Sequence, residues 1–425
     1  MPSPADIVII GAGAAGLAAG IFAAETNPEL RIVLLDSAKT IGAKILVSGG
    51  GRCNVTNQNV TASDFHGNRK IIDRILRRFD EQATIRWFGS LGVLLNIEHR
   101  GKLFPVSNKA RTVLDALLRR CEERSITLLT QHRVQSITQQ GPEFSIQHSQ
   151  GIIHARQVIV ATGGRSLPKT GSDGSGWALV QHLGHTVNPT YPALVPLILD
   201  DSFFNADLTG ISQEVMLTTK VNNHIVDRRT GSLLWTHFGI SGPVVLNASR
   251  FWILATEQGQ NAQLHLNCFP NASYKEIEYW LIQAASLPGR KTVQSLLSDR
   301  LPTRVAMRLA QYLSPDLPLT PVNLLQKETR NALLHTLTNL TLPVIASRGW
   351  NFAEVTAGGV PLTEIDPKSM GSKKVTGLYL IGEMLDCDGR IGGFNFQWAW
   401  ATGYLAGYHA ALAKQEKNSP TRKGA

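Results

Sequence analysis

Three glycines and one acid near the amino terminus have the types and spacing to hold a phosphate. Gly11, Gly13 and Gly16 form G-x-G-x-x-G. In that pattern the first glycine permits a tight turn and the second lets the backbone approach a pyrophosphate. The third lets a helix pack close to a sheet. Asp36 stands about twenty residues further on, where an acid binds a ribose hydroxyl. Lys44 and Arg52 then flank Gly49-Gly50-Gly51. Consecutive glycines expose N–H groups to an anion, and the two cations add charge near a second phosphate or a cofactor ring. Near the other end, Gly382 closes a strand, and Glu383 and Asp386 follow it. The turn Gly389-Arg390-Ile-Gly392-Gly393 comes next, before a helix. A strand, a glycine turn and a helix N-terminus again make an anion site. Candidate proton donors are Cys53, His237, Cys387 and Asp388. No Ser/His/Asp set and no metal-ligand cluster stands out, and no metal is expected.

These residues need elements to position them. Asp6 to Ile10 is an apolar strand, Leu17 to Glu25 an Ala-rich helix, and Arg31 to Leu35 a second apolar strand. Strand, glycines, helix, strand and acid together form a dinucleotide-binding context, which alone does not separate FAD from NAD. Ile41 to Asn57 reads as a glycine-rich basic loop. Ile71 to Leu91 and Val106 to Glu123 show helical spacing. His132 to Ile137 and Val158 to Gly164 read as strands. From about residue 191 to 272 apolar and polar residues alternate in short runs, as in Gln213 to Lys220 and Gln263 to Cys268, which predicts antiparallel strands. Tyr274 to Ala284, Lys291 to Leu301, Thr303 to Tyr312 and Val322 to Leu337 read as helices between Pro and Gly breaks. The expected architecture is α/β. A Rossmann-like domain takes residues 1–190 and 357–425, a small β domain 191–272 and 343–356, and a helical insertion 273–342.

Composition bounds the answer. Over 425 residues, 43% are hydrophobic and 17% charged, so the body of the chain buries a sizeable core and is not disordered. The four cysteines are too few for a disulfide framework, which points to a reducing, cytoplasmic compartment. The net charge of +10 suits nucleic acid, anionic cofactors or anionic substrates. Ile7 to Ala24 carries no charge, but glycines interrupt it and Asp6 precedes it, so neither a membrane span nor a signal peptide is expected. The polar tail Lys414 to Ala425 is expected to fray.

The run Ser48-Gly-Gly-Gly-Arg-Cys-Asn-Val-Thr-Asn57 resembles the signature of the BaiN/RdsA-type (YhiN-like) NAD(P)/FAD-dependent oxidoreductases, a branch of the two-dinucleotide-binding-domain flavoproteins. Further segments resemble the same family in order. They are Gly101-Lys-Leu-Phe104-Pro105-Val-Ser107, Val158-Ile-Val-Ala161-Thr162-Gly163-Gly164 and Leu234-Trp-Thr236-His237-Phe-Gly239-Ile-Ser241-Gly242-Pro243. Ala353-Glu-Val-Thr356-Ala-Gly358-Gly359-Val360 and Gly377-Leu-Tyr-Leu-Ile-Gly382-Glu383 complete the set. The resemblance implies a Rossmann-like FAD-binding domain with an inserted β domain and a helical domain. It places FAD against Gly11, Gly13, Ala14, Ala15, Gly16, Asp36, Ser37, Lys44, Gly51, Arg52, Cys53 and Asn54. It adds Thr162 and Gly163, and Val134, whose backbone is expected beside the adenine. At the closing turn it places Gly382, Glu383, Gly393, Phe394, Asn395 and Gln397 along the ribityl chain and flavin ring.

The resemblance also implies reduction of an activated C=C bond by hydride from reduced flavin, with NAD(P)H as the donor. Such a reaction needs an acid for the second carbon, and Cys53 and His237 are the two nominated. Two substrate classes fit this chemistry. One is uridine in large-subunit rRNA, reduced to dihydrouridine. The other is a small steroid or bile-acid enone. A basic set favours RNA: Lys70, Arg74, Arg77, Arg78, Arg119, Arg120, Arg290, Lys291, Arg300, Arg304 and Arg308. The readings carried forward are an rRNA dihydrouridine synthase, a small-molecule ene-reductase or amine oxidase of the same fold, and an FAD-containing RNA-binding or assembly factor with little turnover.

Overall fold

The computed structural model describes residues 4–201, 203 and 205–418. The chain divides into two compact units, residues 1–191 with 354–425, and residues 192–353.

The first unit is built on a sheet whose central strand is Ala5–Ile10. It pairs in parallel with Ile32–Leu35 on one side and Gly151–Val160 on the other. Thr127–Leu129 extends the sheet beyond Ile32–Leu35, and Leu378–Leu380 pairs in parallel with Gly151–Val160. Ile7, Val8, Ile9 and Ile10 are all buried, as a strand covered on both faces requires. The helix Ala14–Thr26 is buried from Ala15 through Ala24. It packs on the long final helix Phe394–Asn418. That packing is close because Gly403 and Gly407 lie on one helical face. A Cβ on Gly407 would meet the Ala19 carbonyl oxygen at 2.2 Å, and one on Gly403 the Ala15 carbonyl oxygen at 2.8 Å.

Several elements depart from the sequence reading, each for a local reason. The expected loop over Ile41 to Asn57 contains the helical segment Ala43–Gly51, kinked where Ser48 is extended and Gly49 and Gly50 turn left-handed. Ile71 to Leu91 is two helices, Arg69–Leu76 and Glu81–Ser90, because Asp80 caps the second by accepting from the Ala83 amide at 2.7 Å. The next helix starts at Ala110 rather than Val106, since Asn108 sits at φ 54° and Lys109 is extended. The strand expected from His132 begins at Val134 and runs to Gln140, after Gln131 at φ 60°. The final helix continues to Asn418, and the rest of the polar tail lies outside the described residues.

The second unit holds a seven-stranded antiparallel sheet. Its order is Leu340–Leu342, Ala262–Asn267, Ser212–Val221, His224–Thr236, Gly239–Ser241, Leu197–Leu199, Val344–Ser347. The Ser212–Val221 and His224–Thr236 strands form a hairpin closed by Asn222 and Asn223, both at positive φ as a two-residue turn demands. The helix Pro243–Glu257 buries Val244, Val245 and Trp252. The helices of residues 273–342 do not form a separate unit. Lys327–Asn339 runs directly into the edge strand Leu340–Leu342, buries Leu333, Leu334 and Leu337, and ties its Leu337 carbonyl to the Cys268 amide. Among the described residues no helix is long and apolar enough to cross a membrane. The uncharged run from Ile7 is a strand, a turn and a short helix.

Candidate functional site

The glycines of the first turn have different physical reasons. Gly11 lies at φ +101°, and a Cβ there would stand 2.4 Å from the Ala161 carbonyl oxygen. Gly16 touches the turn itself, since its Cβ would stand 1.9 Å from the Gly11 carbonyl oxygen. Gly13 is the reverse case. Its φ of −78° is ordinary and a Cβ would meet nothing within 4 Å. Packing does not explain a glycine there, whereas a ligand lying against the backbone does. Gly13 is also the N-cap of the helix Ala14–Thr26, with no side-chain cap and no acid in the first turn. The first amides, at Ala14, Ala15 and Gly16, are thus available to an anion.

Asp36 closes the second parallel strand. Its carboxylate accepts from the Ala12 amide and the Ala38 amide, each at 2.8 Å, so it is aimed beside the glycine turn. Both oxygens retain acceptor capacity for a hydroxyl. Ser37 next to it is exposed. The chain leading to Val134 is tied here too, because the His132 amide donates to the Asp36 carbonyl. Two orphaned buried atoms mark the region further. Asn54 Oδ1 and Thr162 Oγ1 have no partner in the protein, and buried polar atoms are normally satisfied. Gly163, at φ +73°, is pressed against Ser172. An open glycine face, an uncapped helix start, an oriented acid and two unsatisfied polar atoms fit a dinucleotide.

The two cations expected to face it are otherwise engaged. Lys44 Nζ pairs with Glu383 Oε2 at 2.7 Å and donates to Ser166 Oγ at 2.8 Å. Glu383 Oε1 accepts from Ser166 Oγ at 2.7 Å and from the Thr356 amide at 2.9 Å. Burial alone would push this carboxyl up. The Lys44 ammonium and the hydrogen bonds from Lys44, Ser166 and Thr356 outweigh it and hold Glu383 below the usual range. Arg52 spends its charge on Glu98, at 2.8 and 3.0 Å, and stacks on Phe104. Gly51, at φ +84°, ends the kinked segment and is exposed. The sequence reading gave Lys44 and Arg52 to the cofactor's charge. In the structure each meets an acid distant in sequence, Lys44 with Glu383 and Arg52 with Glu98.

The closing turn is braced in the same way. Gly382, at φ +72°, donates its amide to Thr402 Oγ1, and a Cβ would stand 3.0 Å from that of Ala15. Gly393 lies against the Thr56 backbone, where a Cβ would stand 2.4 Å from its carbonyl oxygen. Asn395 exchanges two hydrogen bonds of 2.8 Å with the Gly389 backbone. Asp386 accepts from Asn188 at 2.7 Å. Phe394 and Gln397 are fully buried. The Gln397 amide accepts from Thr56 and Thr84 and donates to the Phe79 carbonyl, so its side chain anchors the helix rather than reaching a ligand.

The nominated acids fare differently. Cys53 is fully buried, and burial pushes its thiol up to about 12, with a hydrogen bond from Ser48 opposing only weakly. Such a thiol stays protonated near neutrality. Cys387 and Asp388 are also buried. His237 belongs to the second unit, exposed at the turn between His224–Thr236 and Gly239–Ser241. Ser166 and Thr356 were not singled out as site residues, and neither was Glu354. Glu354 reaches solvent, yet crowding by protein pushes its carboxyl up, with Lys102 pulling it down. No spacing signal joins these residues, since Lys44 and Glu383 meet across most of the chain.

The HI0933-like protein Rossmann domain family matches residues 5–409. A 3-dehydro-bile acid delta(4,6)-reductase of Clostridium scindens is 33% identical, over 95% of this chain and 98% of the relative. A ribosomal RNA dihydrouridine synthase of Escherichia coli is 32% identical, over 96% of this chain and 98% of the relative. Among solved structures, 3-ketosteroid delta1-dehydrogenase from Sterolibacterium denitrificans superposes with a TM-score of 0.52 at 13% identity, covering 96% of this chain and 99% of that one. That last likeness speaks to the fold.

Proposed function

Because the chain belongs to the HI0933-like protein Rossmann domain family, of FAD-dependent oxidoreductases, we propose that it reduces a carbonyl-conjugated C=C bond. The leading substrate is uridine in large-subunit rRNA, with NAD(P)H as electron donor. The carrying observation is the open face of Gly13 at an uncapped helix start beside Asp36. Bound and reduced, FAD supplies the hydride.

The protein's own residues do the rest. The amides of Ala14, Ala15 and Gly16 bind the pyrophosphate, and Asp36 takes a ribose hydroxyl. Asn54 and Thr162 offer their unsatisfied oxygens to donors on the cofactor. Lys44, Glu383, Ser166 and Thr356 hold the closing turn rigid, which limits reorganisation during reaction. Cys53 and His237 are the two candidates for the group that delivers the proton.

Support for RNA comes from charge. Lys70, Arg74, Arg77 and Arg78 are exposed along and just beyond one helix. Part of the basic set is spent on acids: Arg77 pairs with Asp73, Arg119 and Arg120 with Glu123, Lys291 with Asp299, and Arg308 with Asp207. The second reading, a small enone, is favoured by the bile-acid reductase relative. The test is anaerobic. The purified holoprotein is reduced, then mixed with an rRNA fragment or a steroid enone, and flavin reoxidation is followed. Fast reoxidation by the rRNA is expected. Reoxidation by the enone alone would transfer the reading to small molecules, and reoxidation by neither would overturn it.

A further inference from the structure

In the first unit two opposite charges stand near each other without pairing. Glu354 is exposed and Lys102 half-buried. Burial is the largest effect on both, and it pushes the Glu354 carboxyl up and the Lys102 ammonium down. Each charge also acts on the other, since Lys102 pulls Glu354 down and Glu354 pulls Lys102 up. Arg100 and Arg52 lower Lys102 further, and Glu98 opposes them. Among the described residues, neither the Glu354 carboxyl nor the Lys102 ammonium makes a hydrogen bond or an ion pair. The other charged groups of the site are spent: Glu383 on Lys44, Arg52 on Glu98, and Asp36 on two amides. Open to solvent and crowded by protein at once, Glu354 does not lie on a convex face.

Both residues are anchored to the closing turn. Lys102 opens the strand Lys102–Pro105, in register with Asn57 on the neighbouring strand. Asn57 Nδ2 donates to the Gly392 carbonyl at 3.0 Å, which ties that pair of strands to the turn. Glu354 leads into the buried strand Val355–Gly359. Its carbonyl accepts from Ser166 Oγ at 3.3 Å, and the same hydroxyl donates to Glu383 at 2.7 Å. Two residues on, the Thr356 amide also donates to Glu383. An acceptor and a donor that are near but unbonded suit a ligand carrying the complementary pair. A cyclic imide does so, with an N–H beside a C=O on one ring edge. A simple enone offers the carbonyl alone and would leave Glu354 crowded without a donor, which is unfavourable.

We propose that Glu354 and Lys102 recognise the imide edge of a uracil ring, Glu354 accepting from the ring N–H and Lys102 donating to the adjacent carbonyl oxygen conjugated to the C=C bond. The proposal rests on the reductase reading above and names the substrate class that its site is built to select. A carboxyl accepts through its carbonyl oxygen whether or not it is ionised, so the upward push of burial does not abolish the contact. Lys102 alone would hold any conjugated carbonyl, and Glu354 is the residue that separates an imide from an enone.

The test is binding of tritiated uridine and tritiated 3-methyluridine to the oxidised holoprotein, read by equilibrium dialysis. In 3-methyluridine a methyl group replaces the imide hydrogen. Wild type is expected to bind uridine about tenfold or more tightly than 3-methyluridine. Glu354→Ala is expected to abolish that preference, and Glu354→Gln, which keeps an accepting carbonyl, to retain most of it. Lys102→Met is expected to weaken both ligands alike and keep the preference. FAD content and melting temperature of each variant are compared with wild type. Equal binding of the two ligands by wild type would overturn the proposal, as would no uridine binding, or a preference unchanged in well-folded Glu354→Ala. A Glu354-dependent preference without flavin reoxidation by rRNA would sink the reductase reading and leave the imide site standing. Reoxidation by rRNA with a preference indifferent to Glu354 would do the reverse.

Discussion

Gly13 and Gly16 stand three residues apart and predict opposite behaviour. A Cβ at Gly13 meets no protein atom, while one at Gly16 stands 1.9 Å from a backbone oxygen. Gly13→Ala should therefore leave the melting temperature of the FAD-free protein unchanged and lower its FAD content after purification. Gly16→Ala should destabilise the fold itself, by about 3 kcal/mol or more. Equal melting temperatures for the two FAD-free variants would show that the glycine pattern is not partitioned in this way. A second prediction concerns Glu364, away from the site. It accepts from Lys374, Thr186 and His185. Burial works against its ionisation, but those hydrogen bonds prevail and bring its carboxyl to about 2. A carboxyl lowered on folding stabilises the protein above its unfolded pKa, and the contribution drains away as pH falls through the folded value. Glu364→Gln should cost about 2 kcal/mol at pH 7. The difference from wild type should shrink as pH falls from 4.5 toward 2, and a pH-independent difference would contradict the assignment.

At the scale of elements, the helix Ala14–Thr26 decides where the anion site points, and the final helix decides where that helix sits. Gly407→Ala would drive a Cβ to 2.2 Å from the Ala19 carbonyl oxygen. It is expected to cost about 2–3 kcal/mol and to loosen FAD retention through the displaced helix start, although position 407 is far along the chain from the glycine turn. Wild-type stability and FAD content would show that this contact is slack. The strand–turn–helix unit was legible in the sequence because its pattern is local, with glycines, apolar runs and an acid in fixed order. The closing turn was legible for the same reason. The protein partners of Lys44, Arg52 and Gln397 were not. A charge or amide in a glycine-rich stretch looks available until the fold brings Glu383, Glu98 or Thr84 beside it.

For the molecule as a whole, net charge is the property that bears on partner choice. The ion pairs neutralise some of the basic residues locally, Arg77 by Asp73 among them, which leaves the exposed Lys70, Arg74 and Arg78 as the expected phosphate contact. Changing Lys70, Arg74 and Arg78 together to Gln should weaken rRNA binding and flatten its dependence on salt, with no change in FAD content. An unaltered salt slope would assign that face to ordinary solvated surface. The most direct test of the central claim is the dihydrouridine content of large-subunit rRNA from cells with and without this gene, measured by mass spectrometry of digested RNA. The account predicts loss of a dihydrouridine on deletion, restored by the wild-type gene and not by a Gly13→Val version. A dihydrouridine level unchanged by deletion would contradict rRNA as the substrate.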